Sequence, residues 1–125
     1  MNRYVNWLDE FNAWPWDSMN DEYHPYMKTD VLRDKQDLVF LIEMPGMKKE
    51  NINVSLDNGV LAVFGTKEQG DGKYVLREIK GGKMMRKYRV GSEYDPDTVC
   101  AKYENGILSI TLRKKEEKKT FINIQ

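Results

Sequence analysis

The chain has 125 residues, which is enough for one domain with a core and too few for two. Its 20 basic and 20 acidic residues give a formal net charge of +0, so no long-range field attracts nucleic acid or an acidic membrane. Cys100 is the only cysteine, which excludes an intrachain disulfide framework and fits a reducing compartment. No apolar run approaches membrane-spanning length. We therefore expect a soluble, cytoplasmic protein in which the role of Cys100 is packing.

Residues 1–27 differ in composition from the rest, since they contain all three tryptophans and half of the 14 aromatic residues. An apolar stripe at helical spacing opens this segment, and Pro15 should end the helix. Pro15 and Pro25 separate the stripe from the rest of the chain, which favours an exposed or intermolecular role over core packing. The stripe consists of Tyr4, Trp7, Leu8 and Phe11, and the residues expected to contact other proteins are Trp7, Leu8, Phe11, Trp14 and Trp16.

From Thr29 onward the apolar residues recur with period two, which is typical of strands. Two Asn-Gly pairs, Asn58-Gly59 and Asn105-Gly106, predict hairpins because Asn-Gly accepts the positive φ angles of a type I′ turn. About eight short strands and no helix after Pro15 indicate an all-β sandwich or barrel. The predicted strands lie near Val31 and over residues 38–42, 52–56, 60–64, 74–79, 84–90, 99–103 and 107–112.

The longest connection between predicted strands runs from Gly65 to Gly82 and contains the alternating stretch 74–79. A strand between two flexible arms can reach another subunit, and it can equally form a local hairpin on its own sheet. The pattern alone leaves both open.

Arg86 shares one face of a predicted strand with Met84, Tyr88 and Val90. A charge on an apolar face needs a partner. Arg86 either pairs with a carboxylate across a subunit interface or buries its stem and keeps its head in water.

The chain closes on Phe121-Ile122-Asn123-Ile124, after the charged run 113–119. Ile122 and Ile124 point to the same side of an extended segment, so they form a plug with two prongs for a sheet edge. We expect its socket on another copy of the chain. The alternative is a last strand that folds back on its own domain.

The sequence contains few of the residue combinations that enzymes use for catalysis. His24 is the sole histidine, so neither a Ser-His-Asp arrangement nor a two-histidine metal site forms within one chain. No phosphate-binding glycine motif is present, and Asp95-Pro96-Asp97 fits a turn better than a calcium loop. The sequence predicts no enzyme activity, no cofactor and no metal.

Four motifs occur in an order that resembles the small heat-shock protein (α-crystallin) family across residues 28–125. They are the proline-glycine turn and strand from Met44 to Val54, the arginine-bearing strand Arg86-Lys87-Tyr88-Arg89-Val90, the stretch from Asp95 through Ala101-Lys102-Tyr103-Glu104-Asn105-Gly106-Ile107-Leu108, and the tail Ile122-Asn123-Ile124.

The resemblance implies an immunoglobulin-like antiparallel β-sandwich over residues 28–112, between an aromatic segment (1–27) and a charged tether with its tail (113–125). It also implies dimers in which the region 74–79 pairs with a partner's edge near 29–33. Larger assemblies would form when tails enter a groove between two strands. The implied dimer interface is Tyr74, Val75, Leu76, Arg77, Glu78, Arg86 and Val31, and the implied groove is Ile52, Val54, Leu56, Val99, Ala101 and Tyr103.

The function implied by the resemblance is that of an ATP-independent holdase, which binds partly unfolded client proteins as a homo-oligomer and involves neither nucleic acid nor membrane. One alternative is a monomeric protein-binding sandwich similar to the p23-like co-chaperones. Another is a nucleic-acid-binding β-barrel, which the zero net charge disfavours; its surface would be Lys83, Arg86, Lys87 and Arg89 with Tyr88.

Overall fold

The computed structural model describes residues 23–24, 27–79, 81–116 and 121–125. Within them, eight strands form two four-stranded sheets. The helix predicted around Trp7 lies outside the described residues. The first sheet has the order β1 (Tyr23–His24), β6 (Gly82–Arg89), β5 (Val60–Lys67) and β4 (Ile52–Asp57), and the second has the order β2 (Thr29–Asp34), β3 (Asp37–Glu43), β8 (Ile107–Leu112) and β7 (Cys100–Glu104).

Side chains from both sheets form one continuous hydrophobic core. In β3, Leu38, Phe40 and Ile42 are buried while Val39 and Leu41 are half-buried, because β3 is an inner strand of its sheet. In β4, an edge strand, half-buried residues alternate cleanly with exposed ones. The predicted all-β sandwich is confirmed.

Both predicted Asn-Gly hairpins are present. Asn58 and Gly59 have φ angles of 51° and 74°, and Asn105 and Gly106 have φ angles of 52° and 77°, the positive values that a type I′ turn requires. A third hairpin joins β2 to β3, with Lys35 at φ 58°. The sequence gives no Asn-Gly signal there, so this turn was not predicted.

Two strand assignments need correction. Residues 74–79 form no strand in this chain, since the backbone bends at Val75 and Leu76. The eighth strand is instead β1, which pairs parallel with β6 through Tyr23 and His24, so one pair of the otherwise antiparallel sheets is parallel. Alternation shows that a segment can pair, but pairing also needs a free edge within reach.

The prediction for Cys100 is wrong, because the thiol is exposed. Cys100 begins β7, the outer strand of the second sheet, and its Sγ lies 3.7 Å from the Thr98 carbonyl oxygen. The first three residues of β7, Cys100, Ala101 and Lys102, are all exposed, so the exposure of the thiol is a property of this part of the strand.

Among the described residues, no helix is long and apolar enough to cross a membrane.

Candidate functional site

A groove runs between β4 and β7, which are the outer strands of the two sheets. Its volume is about 230 Å³, and both strands contribute residues two positions apart, so their side chains point to the same side. Four of the six residues predicted for the tail-accepting groove come together here: Ile52, Val54, Ala101 and Tyr103.

Tyr103 is a fixed wall of this groove. Its hydroxyl donates a hydrogen bond to the Met44 carbonyl oxygen at 2.6 Å and lies 3.2 Å from the Met47 carbonyl oxygen. The opposite wall is Ile52 and Val54, which are half-buried and pack on the core. Because Ala101 is small and exposed, the space beside Tyr103 is open to an incoming aliphatic side chain.

The other two predicted groove residues lie elsewhere. Leu56 lines a neighbouring cavity of about 310 Å³ with Gly59 and Tyr94, and Val99 is half-buried against the core at the end of a short 3-10 turn, Pro96–Thr98. Sequence reasoning missed three lining residues of the groove, Lys49, Lys102 and Leu108. The β7–β8 register pairs Leu108 with Tyr103, and this pairing follows from the Asn105-Gly106 turn.

The C-terminal segment does not lie on its own sandwich. Ile122 is 86% exposed and Ile124 is 97% exposed, and neither belongs to a strand. Upstream, Lys114 pairs with Tyr94, and the Lys115 amide donates to the Glu93 carbonyl oxygen at 2.7 Å. The extension that can leave the domain therefore starts after Lys115, which makes it shorter than the tether predicted from Arg113.

The predicted dimer residues form an exposed arm and an edge strand. In the arm, defined as residues 68–81, all of Tyr74, Val75, Leu76, Arg77 and Glu78 are exposed. The edge is β2, which among the described strands pairs with β3 alone. Val31 of β2 is half-buried and packs on the core, and its neighbour Leu32 is exposed.

Arg86 joins the two sheets near the start of β2. Its Nη1 donates to the Met27 carbonyl oxygen at 2.8 Å and to Thr29 Oγ1 at 3.3 Å, and its Cζ lies 5.1 Å from the centre of the Tyr88 ring. The guanidinium thus bonds to its own chain. Its predicted contact with a dimer partner stays a prediction.

Burial raises the pKa of Tyr88, while the Arg86 charge and a hydrogen bond with Thr29 act in the opposite direction. The Tyr88 hydroxyl lies 2.5 Å from Thr29 Oγ1, and its ring packs edge-on against Phe40 at 5.0 Å. Tyr88 is 1% exposed, so no base can stack on it. This burial removes the aromatic surface that the nucleic-acid alternative requires.

Replacing Arg86 by methionine should lower the free energy of unfolding by about 1 to 3 kcal/mol, since the Met27 carbonyl oxygen loses a charged donor. Urea unfolding measures the change, and Arg33→Met on exposed β2 is the control, with little expected effect. An unchanged midpoint for Arg86→Met contradicts the prediction.

Light scattering on a second variant, Arg86→Gly, tests the dimer. A folded variant that no longer dimerises supports a role of Arg86 at the dimer interface.

The expected client contacts Trp7, Leu8, Phe11, Trp14 and Trp16 lie outside the described residues. At Asp95-Pro96-Asp97 the Asp97 amide donates to Asp95 Oδ1 at 2.9 Å, which is a capped turn before β7.

Comparison with known proteins gives one consistent picture. The sequence model of the Hsp20/alpha crystallin family matches residues 30–125. Small heat shock protein C2 of Rickettsia felis is 30% identical over 123 residues, which cover 95% of this chain and 79% of that protein. Heat shock protein 16.0 of Schizosaccharomyces pombe is 30% identical, with a TM-score of 0.63 over 79% of this chain and 97% of its own.

A small heat-shock protein from Xylella fastidiosa has a TM-score of 0.67 at 23% identity, over 79% of this chain and 94% of its own. At that identity the likeness concerns the fold alone. The two-sheet architecture described above is therefore the α-crystallin type of β-sandwich.

Proposed function

The chain belongs to the Hsp20/alpha crystallin family, and on that basis we propose that it is an ATP-independent holdase chaperone. It binds partly unfolded proteins and delays their aggregation as an oligomer of strand-exchanged dimers in the cytoplasm. One observation carries the proposal: the described residues of both sheets share one core, yet two segments outside the sheets, the arm and the C-terminal tail, present large apolar side chains to solvent. Such surfaces are uncommon on isolated soluble domains and mark contact with other chains.

The proposed dimer follows from two features that complement each other. The arm offers a segment of exposed apolar residues in which Leu76 is 75% exposed. The outer side of β2 offers a strand edge that none of the described strands covers. An extended segment that adds to a sheet edge gains main-chain hydrogen bonds together with side-chain burial. In a two-fold dimer each chain supplies one arm and one edge.

Aspartates in the arm should weaken this dimer. In Val75→Asp with Leu76→Asp, one side chain of the pair faces the partner, and the lost burial is worth about 1.5 to 3 kcal/mol for each arm, hence about 3 to 6 kcal/mol for the two arms of a dimer. We expect the dissociation constant of the dimer to rise about 100- to 10,000-fold, measured by dilution and native mass spectrometry.

The matched control is Lys73→Asp, which replaces a positive charge by a negative one in the same arm, outside the predicted strand, and so changes the net charge as much as the two aspartates do. A dimer that tolerates both aspartates overturns the role of the arm. A monomer that still suppresses aggregation favours the alternative of a monomeric sandwich that binds other proteins.

The proposed socket for the tail is the groove between β4 and β7. The prongs Ile122 and Ile124 are two residues apart, as are Ile52 and Val54 on one wall and Ala101 and Tyr103 on the other. Matching spacing lets both prongs sit between the walls at the same time. The short extension after Lys115 then connects one dimer to a neighbouring one.

The chaperone activity itself is tested by the heat-induced aggregation of a model client enzyme, followed by turbidity without nucleotide. The expected result is suppression that rises with the amount of chaperone and does not change when ATP is added. A large requirement for ATP, or no suppression at any ratio, contradicts the proposed function.

A further inference from the structure

The arm is closed on itself by a set of contacts that we name the clasp, made by Gln69, Tyr74 and Arg77. Arg77 Nη2 donates a hydrogen bond to Gln69 Oε1 at 2.9 Å. Arg77 Cζ lies 4.5 Å from the centre of the Tyr74 ring, at cation–π distance. The tip of the arm is thereby tied to its root.

Two glycines make room for the clasp where the arm returns to β6. A Cβ at Gly81 would lie 2.6 Å from Gln69 Cγ, and a Cβ at Gly82 would lie 3.0 Å from Gln69 Nε2. The Gln69 side chain therefore fills the space between the two roots of the arm. Gly82 also has a φ of 91°, which other residues rarely adopt.

The clasp is incompatible with a straight strand over residues 74–79. In a strand, residues three apart point to opposite faces, so Tyr74 and Arg77 could not contact each other. Their stacking here requires the bend at Val75 and Leu76. A chain with a closed clasp therefore cannot pair residues 74–79 with the β2 edge of a partner.

We propose that the clasp is an autoinhibitory contact that limits dimerisation, and that it must open before the arm pairs with a second copy of this chain. The inference rests on the proposed dimer. A closed arm is not competent to bind, so the apparent affinity is reduced by the fraction of chains whose arm is open. Every clasp residue is exposed, so the closed state is only moderately favoured.

The test is Gln69→Ala, which removes the acceptor for Arg77 without changing residues 74–79. We expect the dimer dissociation constant to fall about two- to tenfold for each arm, and so about 4- to 100-fold for the two arms of a dimer, as for the loss of one hydrogen bond per arm in the competing state. The association rate should rise by a similar factor. Dilution followed by native mass spectrometry gives the constant, and re-association after mixing to higher concentration gives the rate.

The matched control is Glu68→Ala, since Glu68 pairs with Lys48 at 3.2 Å outside the clasp; its dimer constant should not move. A dimer of Gln69→Ala with unchanged affinity overturns the proposal, because the clasp then does not compete with pairing. A weaker dimer also overturns it, since the clasp then prepares the arm instead of restraining it. If the unsubstituted chain forms no dimer at any concentration, the proposed dimer itself fails, and the two failures are distinguishable.

Discussion

Replacing both tail isoleucines by alanine, Ile122→Ala with Ile124→Ala, should convert large particles into dimers. Burying the two side chains is worth about 3 to 6 kcal/mol in total, at about 1.5 to 3 kcal/mol each. The loss of rotational freedom and the ordering of the tail offset much of this gain. In the proposed assembly a single tail therefore binds weakly, and the particle depends on many such links together. Light scattering across a concentration series measures the loss.

The distance that the tail can bridge is set by five residues, from Glu116 to Thr120, because Lys114 and Lys115 pair with the domain. Five residues span about 11 to 13 Å as a flexible coil and about 17 Å when extended. In the proposed assembly, only a closely packed neighbouring dimer is within that distance. A short link of this kind restricts the geometry of the assembly as well as its strength.

Two further variants make the tail experiment specific. Asn123→Ala lies between the prongs and points to the other side of an extended tail, so this control should keep the particle intact. Ala101→Trp fills the groove from its exposed side and should disassemble the particle as the tail variant does. If neither the tail variant nor Ala101→Trp changes particle size, the groove between β4 and β7 is not the socket.

How far the sequence determines this structure differs from element to element. Local signals were sufficient where a residue type has a direct conformational meaning, as at Asn58-Gly59 and Asn105-Gly106 with their positive φ angles. Alternation was sufficient in β4, where an edge strand has one covered face. Lys35 adopts φ 58° without a glycine or asparagine, and there the pairing of β2 with β3 imposes the turn.

The failures share one cause, which is dependence on distant neighbours. β1 is only two residues long and is parallel to β6, so it is too short to show the alternation of apolar and polar residues that predicts a strand. Residues 74–79 alternate like a strand, but they join no sheet edge of their own chain, since the backbone bends at Val75 and Leu76. Cys100 looks like a core residue by type and is exposed because β7 is an outer strand.

Only some of the residues that line the groove were predicted, because the lining also depends on neighbours that are distant in sequence. Ile52, Val54, Ala101 and Tyr103 were identified through the resemblance to a family, and the structure brings them together. Leu56 instead lines the neighbouring cavity and Val99 packs against the core, and no local pattern encodes that placement. The hydrogen bond from Tyr103 to the Met44 carbonyl likewise joins residues 59 positions apart.

Removing residues 1–16 should abolish most of the suppression of client aggregation. The segment contains all three tryptophans of the chain, and large aromatic side chains bury about 150 to 250 Å² each. At about 25 cal/mol per Å², each tryptophan offers about 4 to 6 kcal/mol before costs. If the three tryptophans together contribute only about 1.4 kcal/mol net to client binding, their removal weakens the affinity for the client about tenfold. Turbidity of a heated model client gives the chaperone ratio needed for half-suppression, which should rise at least about tenfold.

A substitution series assigns this effect to the aromatic rings. Trp7→Ser, Trp14→Ser and Trp16→Ser in one chain should reproduce the truncation, while Asp9→Asn with Glu10→Gln in the same segment should leave suppression intact. Because every tryptophan lies in this segment, their fluorescence reports on it directly: adding unfolded client to the unsubstituted chain should shift the emission to shorter wavelength as the indoles leave water. Unchanged emission together with unchanged suppression by the truncated chain assigns client binding to another surface, and the exposed arm is then the next segment to test.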